Sequence, residues 1–443
     1  MWALFTFIFL LIFGPVVRSP LGSFGDLSIL TALTFLIWSL WVGCHVTKNI
    51  KLLCWIAFIL TALAFLNSVL ISENIELKHL QVIIRPLKGL LIFLGVYFAI
   101  IRLLEPYIEE MGPRKAYESL LTAVYVAVIV HGFIIICQFI FPAFRDLTYA
   151  ILIDSNVLDF NKQLRMPGLA GAGGAQVSAV QGLGFFVGVH LALIKKRYLP
   201  FIFGNLIIVV SLVLTGRTGF VLVGISFLYW VTFVVFKKRS LSSTIKVRSL
   251  LVRILIGVIL LLFISKGVSF FTSYSYDDPM LKVAIERTFE TYLNYSETGE
   301  LSDTTLTALS EMYEFPEKPS TLIFGDVVKY DNAASDYNSD IGYVRLVWGY
   351  GLIGLAGHIL FYLLMGYLIL SSSVRRIMGA ENIALGLWVL GSVFVLNYKE
   401  PFFFSRMSYQ ITLFVIIGLY YLGSSHFKVN FQGSRRFNSF IIF

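Results

Sequence analysis

Twelve apolar runs, most of them close to the twenty or so residues a helix needs to cross a bilayer, constrain this chain more than any other feature. They lie near 2–17, 27–45, 52–71, 87–104, 119–141, 175–194, 199–215, 217–236, 250–271, 344–370, 383–396 and 408–422. Hydrocarbon offers no partner to a backbone N–H or C=O, so runs like these cross it as helices. Hydrophobic residues make up 57% of the chain, charged ones 14%, and the mean hydropathy is +0.81. A soluble domain carries about 25% charged residues. The expectation is one all-α, polytopic integral membrane domain over 1–443, with about twelve transmembrane helices.

A formal charge of +9 in a soluble protein would suggest nucleic acid. Here the basic residues fall in short loops beside apolar runs, as the positive-inside rule demands, so nucleic acid is not expected as a partner. Lys195-Lys196-Arg197, Lys237-Lys238-Arg239 with Lys246 and Arg248, and Arg375-Arg376 are separated by even numbers of spans, which lets all three be cytoplasmic. With twelve spans both termini are cytoplasmic as well, in agreement with Lys428, Arg435 and Arg436 in the tail. Eleven spans would put the N-terminus outside. Met1 to Val17 lacks a basic leader and a small-residue cleavage site, so it reads as a retained first helix. Cys44, Cys54 and Cys137 all lie in apolar runs and are odd in number, which indicates neither a disulfide framework nor a zinc cluster.

One long hydrophilic loop interrupts the pattern, at 272–342 between the ninth and tenth spans. Its fourteen acidic residues face only Lys282, Arg287, Lys318 and Lys329, about −10 in all, and the charge rule places it on the outer side. After Pro279, Met280-Leu281, Val283-Ala284-Ile285, Phe289 and Tyr292-Leu293 recur at helical spacing, which predicts an amphipathic helix against the membrane face. Thr321-Leu322-Ile323-Phe324-Gly325 reads as a short extended piece ending in a turn. A smaller excursion, Pro142 to Arg165, shares the outer side, and no repeat of fixed period is visible.

Several charged side chains are hard to place in such a chain without a function. Arg217, in Leu214-Thr215-Gly216-Arg217-Thr218-Gly219, is pinched between two apolar runs, where arginine is expensive. Its guanidinium fork suits a lipid-linked phosphate at that depth, or it snorkels to headgroups. Arg165-Met166-Pro167-Gly168-Leu169-Ala170-Gly171-Ala172-Gly173-Gly174 offers a basic side chain and small residues. The glycines serve either as an anion cradle of exposed amides or as close helix packing. Lys399, Glu400 and Arg406 cluster beside Phe402-Phe403-Phe404 between the last two spans, on a side that should be poor in basic residues, with the aromatics at the interface. Arg85, just outside the fourth span, is a further candidate, or Arg85-Pro86 simply starts a helix. No histidine occurs between Thr272 and Gly342, Asp331, Asp336 and Asp340 do not follow calcium-loop spacing, and no metal site is indicated. His131, His190 and His358 fall within spans and read as packed, hydrogen-bonded residues.

Together Leu212-Val213-Leu214-Thr215-Gly216-Arg217-Thr218-Gly219, the long outer loop, and Asp340-Ile341-Gly342-Tyr343 ahead of Gly351-Leu352-Ile353-Gly354 resemble the O-antigen polymerase and ligase superfamily. Arg165-Met166-Pro167-Gly168-Leu169 and Phe324-Gly325 fit its looser signals, and the likeness runs over roughly 160–425. The ligases of that superfamily place a histidine eleven residues before the glycine of the Gly-Leu-Ile-Gly turn, where this chain has Asp340. The departure favours a polymerase. The resemblance implies a GT-C-like glycosyltransferase in a bacterial inner membrane, its long loop periplasmic and its reaction inverting, with no metal and no other cofactor. It also implies an undecaprenyl-diphosphate-linked oligosaccharide as donor and acceptor, membrane lipid around it, and a chain-length regulator protein as a partner.

Under that reading, Arg217 and Arg165, with Lys399, Arg406 and Arg345, neutralise the diphosphate, and Asp340 takes the proton of the attacking sugar hydroxyl. Arg345, five residues on, either holds the Asp340 carboxylate or reaches phosphate itself. Glu400 and Arg85 are additional candidates. Asp340 has a competing role as N-cap of the tenth span. Two other functions stay open: ligation of polymer to a lipid A core, and transport of a lipid-linked sugar, which predicts midplane charges and inverted repeats.

Overall fold

The computed structural model describes residues 2–15, 27–42, 48–71, 77–152, 166–170, 174–237, 286, 289–295, 298–299, 304–327, 339–370, 377–405 and 407–421. Among them every regular element is helical. In chain order these are α1 (Trp2–Phe13), α2 (Leu27–Trp41), α3 (Lys48–Ile71), α4 (Leu77–Met111), α5 (Pro113–Ile140), α6 (Pro142–Ile151), α7 (Gly174–Lys195), α8 (Leu199–Thr215), α9 (Thr218–Lys237), α10 (Thr304–Glu311), α11 (Pro319–Phe324), α12 (Gly342–Ile369), α13 (Ala380–Asn397) and α14 (Met407–Ile417), the last continued by a 3₁₀ turn, Gly418–Tyr421. Among the described residues six helices are long and apolar enough to cross a membrane: those within α3, α4, α5, α7, α12 and α13. The chain is a multi-pass membrane protein, all-helical among the described residues. Five further apolar helices are shorter, and the expected span at 250–271 lies outside the described residues.

Two compact units divide the chain, one of Met1–Ala127 with Leu309–Phe443, the other of Val128–Ala308. In the first, α4 is the central helix, packed on α2, α3 and α14, while α12 lies against α3, α11 and α13. α4 starts at Leu77 and runs through Pro86 and Pro106. Arg85-Pro86 is therefore interior to a helix and does not begin one.

Two glycines fix how α11 meets α12. Gly351 breaks the regular path of α12 with φ 68 and ψ −178, a conformation open to glycine at little cost. A side chain on it would stand 2.1 Å from the Ile323 carbonyl oxygen, and one on Gly325, at φ 84, would stand 2.6 Å from the Gly351 nitrogen. Backbone thus packs on backbone, and the Asp326 N–H donates to the Trp348 carbonyl at 2.7 Å. The Asn67 amide of α3 donates to the Phe324 and Gly325 carbonyls and ties the joint to a third helix. The Thr321–Gly325 segment, expected to be extended, is helical up to Phe324, because Pro319 opens a helical turn and Gly325 closes it.

In the second unit α7 is the buried helix, packed on α8 and α9. Small residues set its distance: a side chain on Gly219 would come 2.2 Å from the Ser178 carbonyl, and one on Gly182 would come 2.7 Å from the Gly219 carbonyl. Lipid is as apolar as leucine, so close approach of this kind is what holds membrane helices together. Of the amphipathic helix expected after Pro279, the described residues, 286 and 289–295, are helical. The rest of that helix lies outside the described residues.

Candidate functional site

The first unit places charge at the start of α12. Ile341, not Asp340, occupies the N-cap position, and no side chain caps the helix. The capping role open to Asp340 in the sequence is thus not taken. Instead Arg345 folds back one turn: its Nη2 donates to Asp340 Oδ1 at 3.0 Å and its Nε donates to the Ser339 carbonyl. The Ser339 hydroxyl donates to the Met312 carbonyl (3.0 Å) and accepts from the Ile341 N–H (3.2 Å). The result is a carboxylate 62% exposed, oriented by a guanidinium that is 19% exposed.

Beside this turn lies the end of α13. A side chain on Gly342 would stand 2.6 Å from the carbonyl oxygens of Asn397 and Glu400, so the two turns touch through backbone. Half-buried Lys399 and Glu400 follow directly, their amides bonded to the Leu396 carbonyl at 3.0 and 3.2 Å. Asp340, Arg345, Lys399 and Glu400 thus share one end of α12 and α13, while Arg406 lies outside the described residues. The three phenylalanines that follow are not an interfacial belt. Phe402, Phe403 and Phe404 are each at most 1% exposed and pack against Tyr362, His358, Phe361 and Tyr409. Their backbone is held by Asn397 Oδ1, the Tyr362 hydroxyl and the Gln410 amide. Arg85 sits in α4, one turn after Val82, whose carbonyl accepts from the Tyr350 hydroxyl at 2.6 Å.

The second unit holds Arg217 at the turn between α8 and α9, 16% exposed. The Ser178 hydroxyl of α7 donates to the Gly216 carbonyl and accepts from the Gly219 N–H (2.8 Å), bracketing the arginine on both sides. Its Nη2 donates to the Glu290 carboxylate, itself 18% exposed.

Arg165 lies outside the described residues, but Met166, next in the chain, donates its N–H to the Leu214 carbonyl at 3.0 Å. From there the segment is fixed by side chains of α5. Gln138 bonds both polar groups of Gly168, accepting from its N–H at 2.9 Å and donating to its carbonyl at 2.8 Å. The Leu169 N–H donates to His131 Nε2 at 3.1 Å. Those two amides are committed to α5, so neither is offered to an anion. His131 Nδ1 lies 3.0 Å from Gln181 Nε2, and the Ser211 hydroxyl lies 3.1 Å from Gln181 Oε1 and 2.7 Å from the Ile208 carbonyl, so imidazole, amide and hydroxyl form one buried polar cluster. Nearby, burial pushes the Tyr149 phenol up to about 12, so it stays a neutral donor toward Met166 Sδ.

His190 and His358 are likewise hydrogen-bonded in the interior, to the Tyr229 hydroxyl and the Gly354 carbonyl, each at 2.7 Å. Glu290, Gln138 and Gln181 are the residues the sequence reading missed. Gln138 had a signal: it is polar, inside an apolar run, and seven residues from His131, which puts both on one helix face. Comparison with protein-family models and with curated proteins returns no match for the chain.

Proposed function

We propose that this chain is an O-antigen polymerase-like membrane glycosyltransferase with a GT-C-like arrangement of about twelve helices. It joins undecaprenyl-diphosphate-linked oligosaccharide repeat units into polysaccharide at the periplasmic face of a bacterial inner membrane. Arg217 is the observation that carries the proposal. Its guanidinium is 16% exposed and matched to a carboxylate, at a turn between two apolar helices whose backbone Ser178 holds on both sides. Arginine between apolar helices is stabilised by an anionic partner, and its planar fork fits a phosphate as well as it fits a carboxylate. A lipid diphosphate is an amphiphile that brings phosphate to the membrane face.

In the reaction, the acceptor hydroxyl attacks the anomeric carbon and gives its proton to Asp340. The bond from that carbon to the diphosphate oxygen breaks, its electron pair leaving on the diphosphate, and the anomeric configuration inverts. Arg217, with Arg165, stabilises the charge that develops on the leaving group. Arg345 orients the Asp340 carboxylate, which its exposure leaves open to a sugar hydroxyl.

The test uses the full-length chain in nanodiscs, supplied with lipid-linked repeat units extracted from the cells that make it. A ladder of lengthened lipid-linked products is expected, reduced about 100-fold in Asp340→Asn. An unchanged ladder in that variant removes Asp340 as the base. Transfer of polymer to lipid A core without lengthening would make the chain a ligase.

A further inference from the structure

The partner of Arg217 comes from far along the chain. Glu290 stands 73 residues away, in the acidic stretch and not on the helices that build the turn. Its neighbour Phe289 meets Phe220 of α9 with ring centroids 6.4 Å apart. Two consecutive side chains of the helical segment 289–295 therefore dock on the first turn of α9, one by charge and one by ring contact, while Tyr292 and Tyr295 remain 42% and 53% exposed.

We propose that Glu290 is an exchangeable occupant of the Arg217 guanidinium, displaced by the diphosphate of the lipid-linked substrate and returning when that diphosphate leaves. The proposal rests on the assignment of Arg217 to a diphosphate. Carboxylate and phosphate present similar oxygens to the same fork, and both need its in-plane N–H donors. With 16% and 18% exposure the pair is partly screened from water. Opening it with nothing in exchange costs a guanidinium between apolar helices its ion pair, which favours a resident anion in the empty protein. Glu290 supplies one, from a segment that is no part of α8 or α9. Docking of 289–295 and binding of diphosphate then exclude each other, and linkage makes the effect reciprocal: diphosphate releases the segment as strongly as the segment opposes diphosphate. The exchange also accounts for acidic chain beside a site for an anionic lipid.

The experiment measures undecaprenyl diphosphate binding to the full-length chain in phosphatidylcholine nanodiscs, together with hydrogen exchange of the 289–295 amides. Binding is expected to weaken at least tenfold in Arg217→Ala and to tighten about fivefold in Glu290→Gln, where no carboxylate competes. In the wild-type chain, which needs no substitution to be read, exchange over 289–295 should quicken when the lipid binds. Glu290→Asp, charged but shorter, should fall between wild type and Glu290→Gln. Arg217-dependent binding that is unchanged or weaker in Glu290→Gln, with 289–295 more protected on binding, overturns the exchange and leaves the diphosphate role standing. Equal binding by Arg217→Ala and wild type removes the diphosphate role and the exchange with it. Release of the segment by phosphatidylglycerol alone overturns the proposal in favour of bulk headgroups.

Discussion

Arg345 and Arg217 each meet a carboxylate at the end of an apolar helix, by opposite routes. Arg345 finds Asp340 five residues away, within the turn that starts its own helix, and that carboxylate is 62% exposed. Arg217 finds Glu290 across 73 residues, and both groups are largely covered. A local pair is assembled with its helix and serves to aim a group that must stay in contact with water. A remote pair depends on where a loop docks, so it can be undone without unfolding the helices beneath it. The supports differ in the same way. Around α12 they are backbone contacts between glycines, and around Arg217 they are buried polar side chains.

The largest separation of the two sites should come from Arg217→Lys, which keeps the charge and loses the fork. Lipid-linked product is expected to fall at least 100-fold, read on a gel ladder beside a blot for membrane insertion. Next come the supports. Gly351→Ala, whose new methyl would stand 2.1 Å from the Ile323 carbonyl, should lower stability by about 3 kcal/mol in a denaturation series. Gln138→Ala leaves the Gly168 amide and carbonyl buried without that partner and should cost about 2 kcal/mol by the same measure. Arg345→Lys should reduce product by about tenfold at most, because a lysine ammonium still reaches Asp340 while losing the bond to Ser339. The smallest effect is on stability in Asp340→Asn, within about 1 kcal/mol, since an ion pair this exposed contributes little to folding. A loss of several kcal/mol there would make Asp340 a structural residue.

Most helices were legible because hydrocarbon thickness dictates apolar run length, so α7, α8 and α9 fall close to their expected bounds. Non-helical and return segments were less so. Composition makes Thr321–Gly325 an extended piece, but Pro319 and Gly325 bracket a helical turn there, and it seats on the Gly351 kink of a distant helix. The Phe402–Phe404 run matched an interfacial belt in composition, yet Asn397 and Gln410 draw its backbone inward. Arg217 and Asp340 were visible as charges out of place. Glu290 was one of fourteen acidic residues in its loop, and nothing in its immediate sequence set it apart.

Asn67 gives the chain a timetable. Its amide donates to carbonyls that lie 257 and 258 residues later, on the stretch seated at the α12 kink. A ribosome adding about 5–20 residues per second takes roughly 13 to 50 seconds to make that distance. During that interval α3 holds a buried-type amide whose native partners do not yet exist. The joint of α3, α11 and α12 consequently closes only long after α3 is made, and its hydrogen bonds depend on a side chain installed near the beginning.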